Sequence, residues 1–217
     1  MNTDLVDTLA GVDVPDTPLA REVTDFIRSA EDDLLFNHSR RVYFFGVLQG
    51  RRRNLQPDLE LLYVGAMFHD LGLTEPYRTS SRLRFEVDGA NAAREFLAAN
   101  GFDQAAVDTV WLGIALHTTP GVPEFLAPEV ALLQAGVEVD VVGVGREHLA
   151  PETLAAVTAA HPRPQFKQRI LAAFNDGMKH RPQTTFGTMN ADVLAYFDPT
   201  FAGVDFAEKI LNNSWPE

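Results

Sequence analysis

Apolar residues recur at spacings of three and four along almost the whole chain, and ionisable residues interrupt those rows at inward positions. Leu35, Val42 and Phe45 mark one row, and His38 falls between them. Leu59, Leu62 and Ala66 mark a second row, which His69 continues, with Asp70 on the parallel row of Leu59, Tyr63 and Ala66. Val107, Val110 and Ile114 lead to His117, and Asp140 sits where an aliphatic residue is expected between Val137 and Val144. A helical fold is the one that collects such rows into a common interior. A buried carboxylate without a partner costs several kcal/mol. Two carboxylates and three imidazoles facing one interior therefore imply a shared counter-ion, and one divalent cation satisfies them together.

The remaining pattern agrees with an all-α helical bundle. Helices are expected over about 18–33, 37–53, 57–70, 86–100, 104–117, 128–145, 151–160, 164–179, 191–197 and 205–213, with a polar loop at 77–85. Residues 1–17 are expected as a loose N-terminal arm, and 18–217 as one helical domain ending in a helical extension. The segment Val137-Glu138-Val139-Asp140 alternates like a strand, but the longer row from Val130 to Val144 favours helix. A length of 217 residues with 46% apolar content suits one such domain.

Composition narrows the chemistry. The chain has no cysteine, so a metal must be held by imidazole and carboxylate. No apolar run approaches the roughly 20 residues that span a bilayer, and Met1 to Leu5 lacks a basic leader, so a cytoplasmic location away from membranes is expected. A net charge of −12 disfavours nucleic acid. The triplet Arg51-Arg52-Arg53, near Arg40-Arg41, is read as cations closing a helix C-terminus. His148, His161 and His180 fall outside the rows and are expected at the surface. The aromatic C-terminal segment (Phe186, Tyr196, Phe197, Phe201, Phe206) is expected to form a packed flap or a subunit contact, compatible with a homo-oligomer.

The order His38, His69-Asp70, Asp140, with the local strings NHSRRVYFFG, YVGAMFHDLG, ALHT and VEVD, resembles the HD superfamily of metal-dependent hydrolases. The segments RFEVDGANAAREFL and TTFGTMNADVL resemble its cyanamide-hydratase-like branch. The resemblance implies an HD-type helical fold and a metal bound by His38, His69, Asp70 and Asp140. Two departures matter. The cyclic-dinucleotide phosphodiesterases carry lysine after the doublet, where this chain has Leu73. The di-iron branch needs two further histidines before the last aspartate, and this chain has only His117 there. A mononuclear site with one divalent transition metal, Fe²⁺, Zn²⁺ or Mn²⁺, is therefore expected.

Such a metal lowers the pKa of a bound water towards ~7 and makes a nucleophile at neutral pH. In the hydratase reading the substrate is a small molecule, a short nitrile such as cyanamide. His117 is then the leading proton donor or orienting group, or a further ligand. Glu86, at a helix start near the doublet, is a second catalytic candidate that would hold the water; its alternative role, shared by Asp88, is to complement the helix N-terminus. A rival reading is phosphohydrolysis of a nucleotide or other phosphomonoester, with Arg78, Arg82 and Arg84 as the clamp. A third is a non-catalytic, ligand-binding HD protein.

Overall fold

Helix starts follow side-chain caps. Thr17, Asp32, Asp58 and Asp103 each accept a backbone N–H of the first helical turn, opening α1 (Pro18–Ala30), α2 (Asp33–Arg53), α3 (Leu59–Phe68) and α6 (Gln104–Leu116). The computed structural model describes residues 8–215. Between α3 and α6 lie a 3₁₀ turn (Leu71–Leu73), the short α4 (Tyr77–Ser80) and α5 (Phe85–Ala99). Then follow α7 (Pro128–Val141), α8 (Pro151–Ala160), α9 (Phe166–Met178), α10 (Asn190–Phe197) and α11 (Phe206–Leu211). The all-α expectation holds, and the VEVD segment is helical. Helix α7 ends earlier than expected, so Val144 lies beyond it in an exposed turn.

Helix α2 is the centre of the fold. Residues from His38 to Val47 are buried on every side, so its neighbours surround it. Helix α7 crosses it most closely. A Cβ added at Gly136 would lie 2.2 Å from the Val42 carbonyl oxygen, so only glycine permits this approach. Helix α3 packs on both and on α6, and α5 packs on α6. The core falls into two clusters. The larger gathers α1, α2, α3, α5, α6 and α7; the smaller joins Leu34, Leu35, Leu73 and Phe85 to Phe166, Ile170, Met178 and Leu194.

The N-terminal expectation needs correction over its described part. Thr8–Leu9 and Val12–Asp13 form an antiparallel hairpin, joined through Ala10 and Gly11, both at positive φ. Val12 is fully buried, the Tyr43 hydroxyl donates to the Asp13 carbonyl at 2.8 Å, and Arg51 donates to Gly11 O at 2.7 Å. Two alternating residues were too short a run to signal this. Residues 1–7 lie outside the described residues. The expected polar loop at 77–85 contains the one-turn α4.

Candidate metal centre

Three histidines reach the seam between the two apolar clusters by different routes. His38 lies on the inner face of α2, whereas His69 and His117 are the C-cap residues of α3 and α6. Each ring is fixed through Nδ1. His69 Nδ1 lies 2.8 Å from the Ala66 carbonyl oxygen, His117 Nδ1 lies 2.6 Å from that of Ile114, and His38 Nδ1 lies 2.7 Å from Asp140 Oδ2. All three partners only accept, so each Nδ1 donates and the neutral ring carries its lone pair on Nε2.

Those Nε2 atoms converge on Asp70. Nε2 of His38 and of His69 are 3.2 Å apart and lie 3.6 and 3.4 Å from Asp70 Oδ2, while His117 Nε2 is 3.6 Å from Asp70 Oδ1. The donor atoms of His38, His69 and Asp70 all lie within 4.8 Å of one another. Neither Asp70 oxygen nor His117 Nε2 has a hydrogen-bond partner among the described residues, although all are buried. Lone pairs and carboxylate oxygens packed this closely repel unless a cation lies between them. The donor set therefore fits a divalent transition metal with nitrogen and oxygen ligands. Burial opposes the charge on Asp70, and only positive charge beside it, a cation or protonated His69, His117 and His38, holds its carboxyl well below the usual range.

The doublet is held from outside as well. Helix α5 runs so close that a Cβ at Gly89 would lie 2.6 Å from Phe68 O and 3.2 Å from His69 O. Phe85 packs edge-on against His117 with ring centroids 5.6 Å apart, and Phe166 lies 5.4 Å from His38.

Asp140 corrects an expectation. It does not join the cluster face; both its oxygens are engaged behind His38. Arg41 donates Nε to Oδ1 and Nη2 to Oδ2, both at 2.8 Å, and Arg163 donates to the Asp140 carbonyl at 2.6 Å. Burial disfavours the Asp140 anion, but hydrogen bonds from His38 and Arg41 hold its carboxyl far below the ordinary range. This arrangement places Asp140 to orient His38 from behind, apart from the cluster of His38, His69 and Asp70. Arg41 also explains why: its guanidinium is fully buried, and only a carboxylate in its fork neutralises it there. Arg40 is buried too and donates to the Tyr63 hydroxyl, so Arg40-Arg41 do not share the helix-closing position of Arg51 to Arg53, which are exposed in the last turn of α2.

The other expected residues separate clearly. Glu86 is buried, and its Oε1 accepts from Thr118 Oγ1 at 2.6 Å and from Asn190 Nδ2 at 2.8 Å; Oε2 has no hydrogen-bond partner among the described residues. Asp88 pairs with the buried Arg181 and accepts from Ser81, a structural tie between α5 and the end of α9. Arg78 pairs with Glu75, Arg84 donates to Phe186 O, and Arg82 is exposed; none of the three lines the cavity beside the cluster. His148 and His180 are exposed, but His161 is buried against Phe44, and burial with the charges of Arg40 and Arg41 pushes its pKa down to about 3.

The cavity itself measures about 560 Å³ and opens from His38, His69, Asp70 and His117 towards α7, α9 and α10. Thr118, Gln134 and Asn190 supply its polar wall. Asn190 and Val193 come from the aromatic-rich C-terminal segment, which thus closes one side of the site. No periodic signal in the sequence marked Thr118, Asn190 or Arg163.

Comparison with known proteins agrees with this geometry. The family model described as HD domain matches residues 35–167. The chain belongs to the HD domain family. Two relatives from Saccharomyces cerevisiae (strain ATCC 204508 / S288c), Cyanamide hydratase DDI2 and Cyanamide hydratase DDI3, are each 27% identical over 157 residues, which is 71% of this chain and 70% of the relative. This HD protein is thus a metal-dependent hydrolase of the cyanamide-hydratase-like kind. Among the described residues no helix is long and apolar enough to cross a membrane.

Proposed function

We propose that this HD protein hydrates a nitrile at a single divalent metal held by His38, His69, Asp70 and His117. The observation that carries the reading is the convergence of three Nε2 atoms on the two partnerless oxygens of Asp70 at the floor of a cavity. His117 is a ligand in this reading, because its Nδ1 proton is committed to Ile114 O and its Nε2 has only a lone pair to offer. A cation bound there lowers the pKa of a water towards ~7.

The protein's own groups then handle the protons. Glu86 lies just behind the cavity wall, bonded through Oε1 to the lining residues Thr118 and Asn190, and keeps Oε2 free to accept one. As the water oxygen adds to the nitrile carbon, Glu86 takes one water proton and returns it to the nitrile nitrogen. The imidic acid so formed tautomerises to the amide; for cyanamide the product is urea, and every atom of the water is retained. Asp140 and Arg41 hold the His38 ring in place throughout.

The phosphohydrolase reading has less support, because Arg78, Arg82 and Arg84 do not line the cavity. Metal-loaded protein assayed in parallel with cyanamide and a nucleoside monophosphate tests the choice. Urea without phosphate release is expected, and Glu86→Gln should slow it roughly 10²–10⁴-fold with metal content unchanged. Phosphate release alone would overturn the assignment. Turnover of neither substrate nor of any other nitrile would overturn the hydration reading.

A further inference from the structure

The cavity is too large and too apolar for the substrate named on the relatives. Cyanamide has three heavy atoms, which at roughly 30 Å³ each occupy about 90 Å³. That is about a sixth of the 560 Å³ present. Beyond the metal-centre residues the cavity is largely apolar. Its walls are Val137 and Val141 of α7, Ile170, Leu171 and Phe174 of α9, and Val193 of α10. Side chains that present no hydrogen-bonding group cannot hold ordered water well, so a three-atom substrate would leave this surface poorly solvated in the complex. At the mouth, Val142, Val144 and Met189 are 69%, 57% and 49% exposed, and they continue the apolar surface outwards.

Charge points the same way. Among the residues lining the cavity, Lys167 carries the one fixed positive charge, and Glu138 offsets it. An anionic substrate would meet one lysine and no arginine beyond the metal, and an uncharged tail needs no counter-charge from the wall.

We propose that the site takes an uncharged substrate whose polar head reaches the metal centre and whose apolar tail, on the order of ten heavy atoms in all, packs between α7, α9 and α10. With the hydration reading above, on which this substrate class rests, the preferred substrate is an aliphatic or aryl nitrile, and cyanamide is turned over with a lower kcat/KM. The α9–α10 wall is then the specificity surface. Each buried methylene of the tail strengthens binding about fourfold until the cavity is filled.

The test separates tail recognition from chemistry. The affinity of the purified, metal-loaded protein for linear carboxamides from acetamide to octanamide is measured by calorimetry, and kcat/KM is measured for the matching nitriles and for cyanamide. Affinity should rise threefold to fourfold per methylene over at least four methylenes. Leu171→Trp, which fills the cavity, should abolish that rise, and Leu171→Ala should extend it to longer chains. Both variants are first checked for wild-type circular dichroism and metal content. If kcat/KM rises with length in parallel, both the tail and the hydration reading are supported. If affinity rises with length but no nitrile is hydrated, the tail surface is supported and the hydration reading falls. If affinity is flat with length, or the Leu171 variants leave the length dependence unchanged, the proposal is overturned, whatever the nitriles do.

Discussion

Asp140→Ala separates two roles that a carboxylate near a metal can play. In the structure Asp140 accepts two hydrogen bonds from Arg41, whose side chain is wholly buried, and one from His38 Nδ1. Removing the carboxylate leaves Arg41 Nε and Nη2 without acceptors, while Nη1 keeps the carbonyls of His161 and Pro162 at 3.1 and 3.0 Å. Stranding one partner of a buried pair costs about 3–5 kcal/mol. For a chain of this size that is a fall in Tm of roughly 6–20 °C. The cost should appear with the metal stripped by chelator, measured as a lower urea midpoint at unchanged slope. Metal affinity, measured by competition with a chromogenic chelator, should fall only about 10–100-fold, the usual effect of losing a group that orients a ligand. A variant whose metal-free stability matches the wild type but which no longer holds metal would refute the reasoning and make Asp140 a direct ligand.

Three further outcomes follow from the same geometry. Chelation should lower Tm by roughly 5–11 °C when metal had been present at about 100 times its Kd, because the cation offsets the partnerless oxygens of Asp70; an unchanged melt with metal confirmed absent would mean the cluster is stable without it. Gly136→Ala forces a methyl against the Val42 carbonyl and should destabilise by about 3 kcal/mol, with loss of metal affinity because α7 carries Asp140 to His38; a neutral effect in denaturant titration would contradict the close crossing. His161 has a folded pKa near 3, below the ~6.5 of the unfolded chain, so its contribution is present above pH 6.5 and lost as pH falls towards 3. Between pH 7 and 5, wild type should therefore lose about 2 kcal/mol more stability than His161→Phe, and parallel pH profiles of the two proteins would exclude that burial cost.

The inward rows identified most of the centre because burial and helical period are local properties. His38, His69, Asp70 and His117 all continue apolar rows, and all four meet in the structure. What escaped depends on pairing between distant segments. Asp140 also interrupts a row, but its role was set by Arg41, three residues after His38 and on the same helical face. A buried arginine has the same sequence signature as an exposed one. His161 follows the end of α8, where no row marks it, and its burial comes from Phe44 on α2. Thr118 and Asn190 join the site only because Glu86 draws both towards α5.

The two C-cap histidines carry a consequence for descent. His69 and His117 each donate a hydrogen bond to a last-turn carbonyl of their own helix, a task that remains when no metal is bound. A lineage that abandoned catalysis would still be penalised for losing either ring. Retention of these histidines in a relative therefore records the need to end a helix as much as the need to hold a cation. Drift to inactivity should show first at Asp70, whose buried charge without a cation only costs stability.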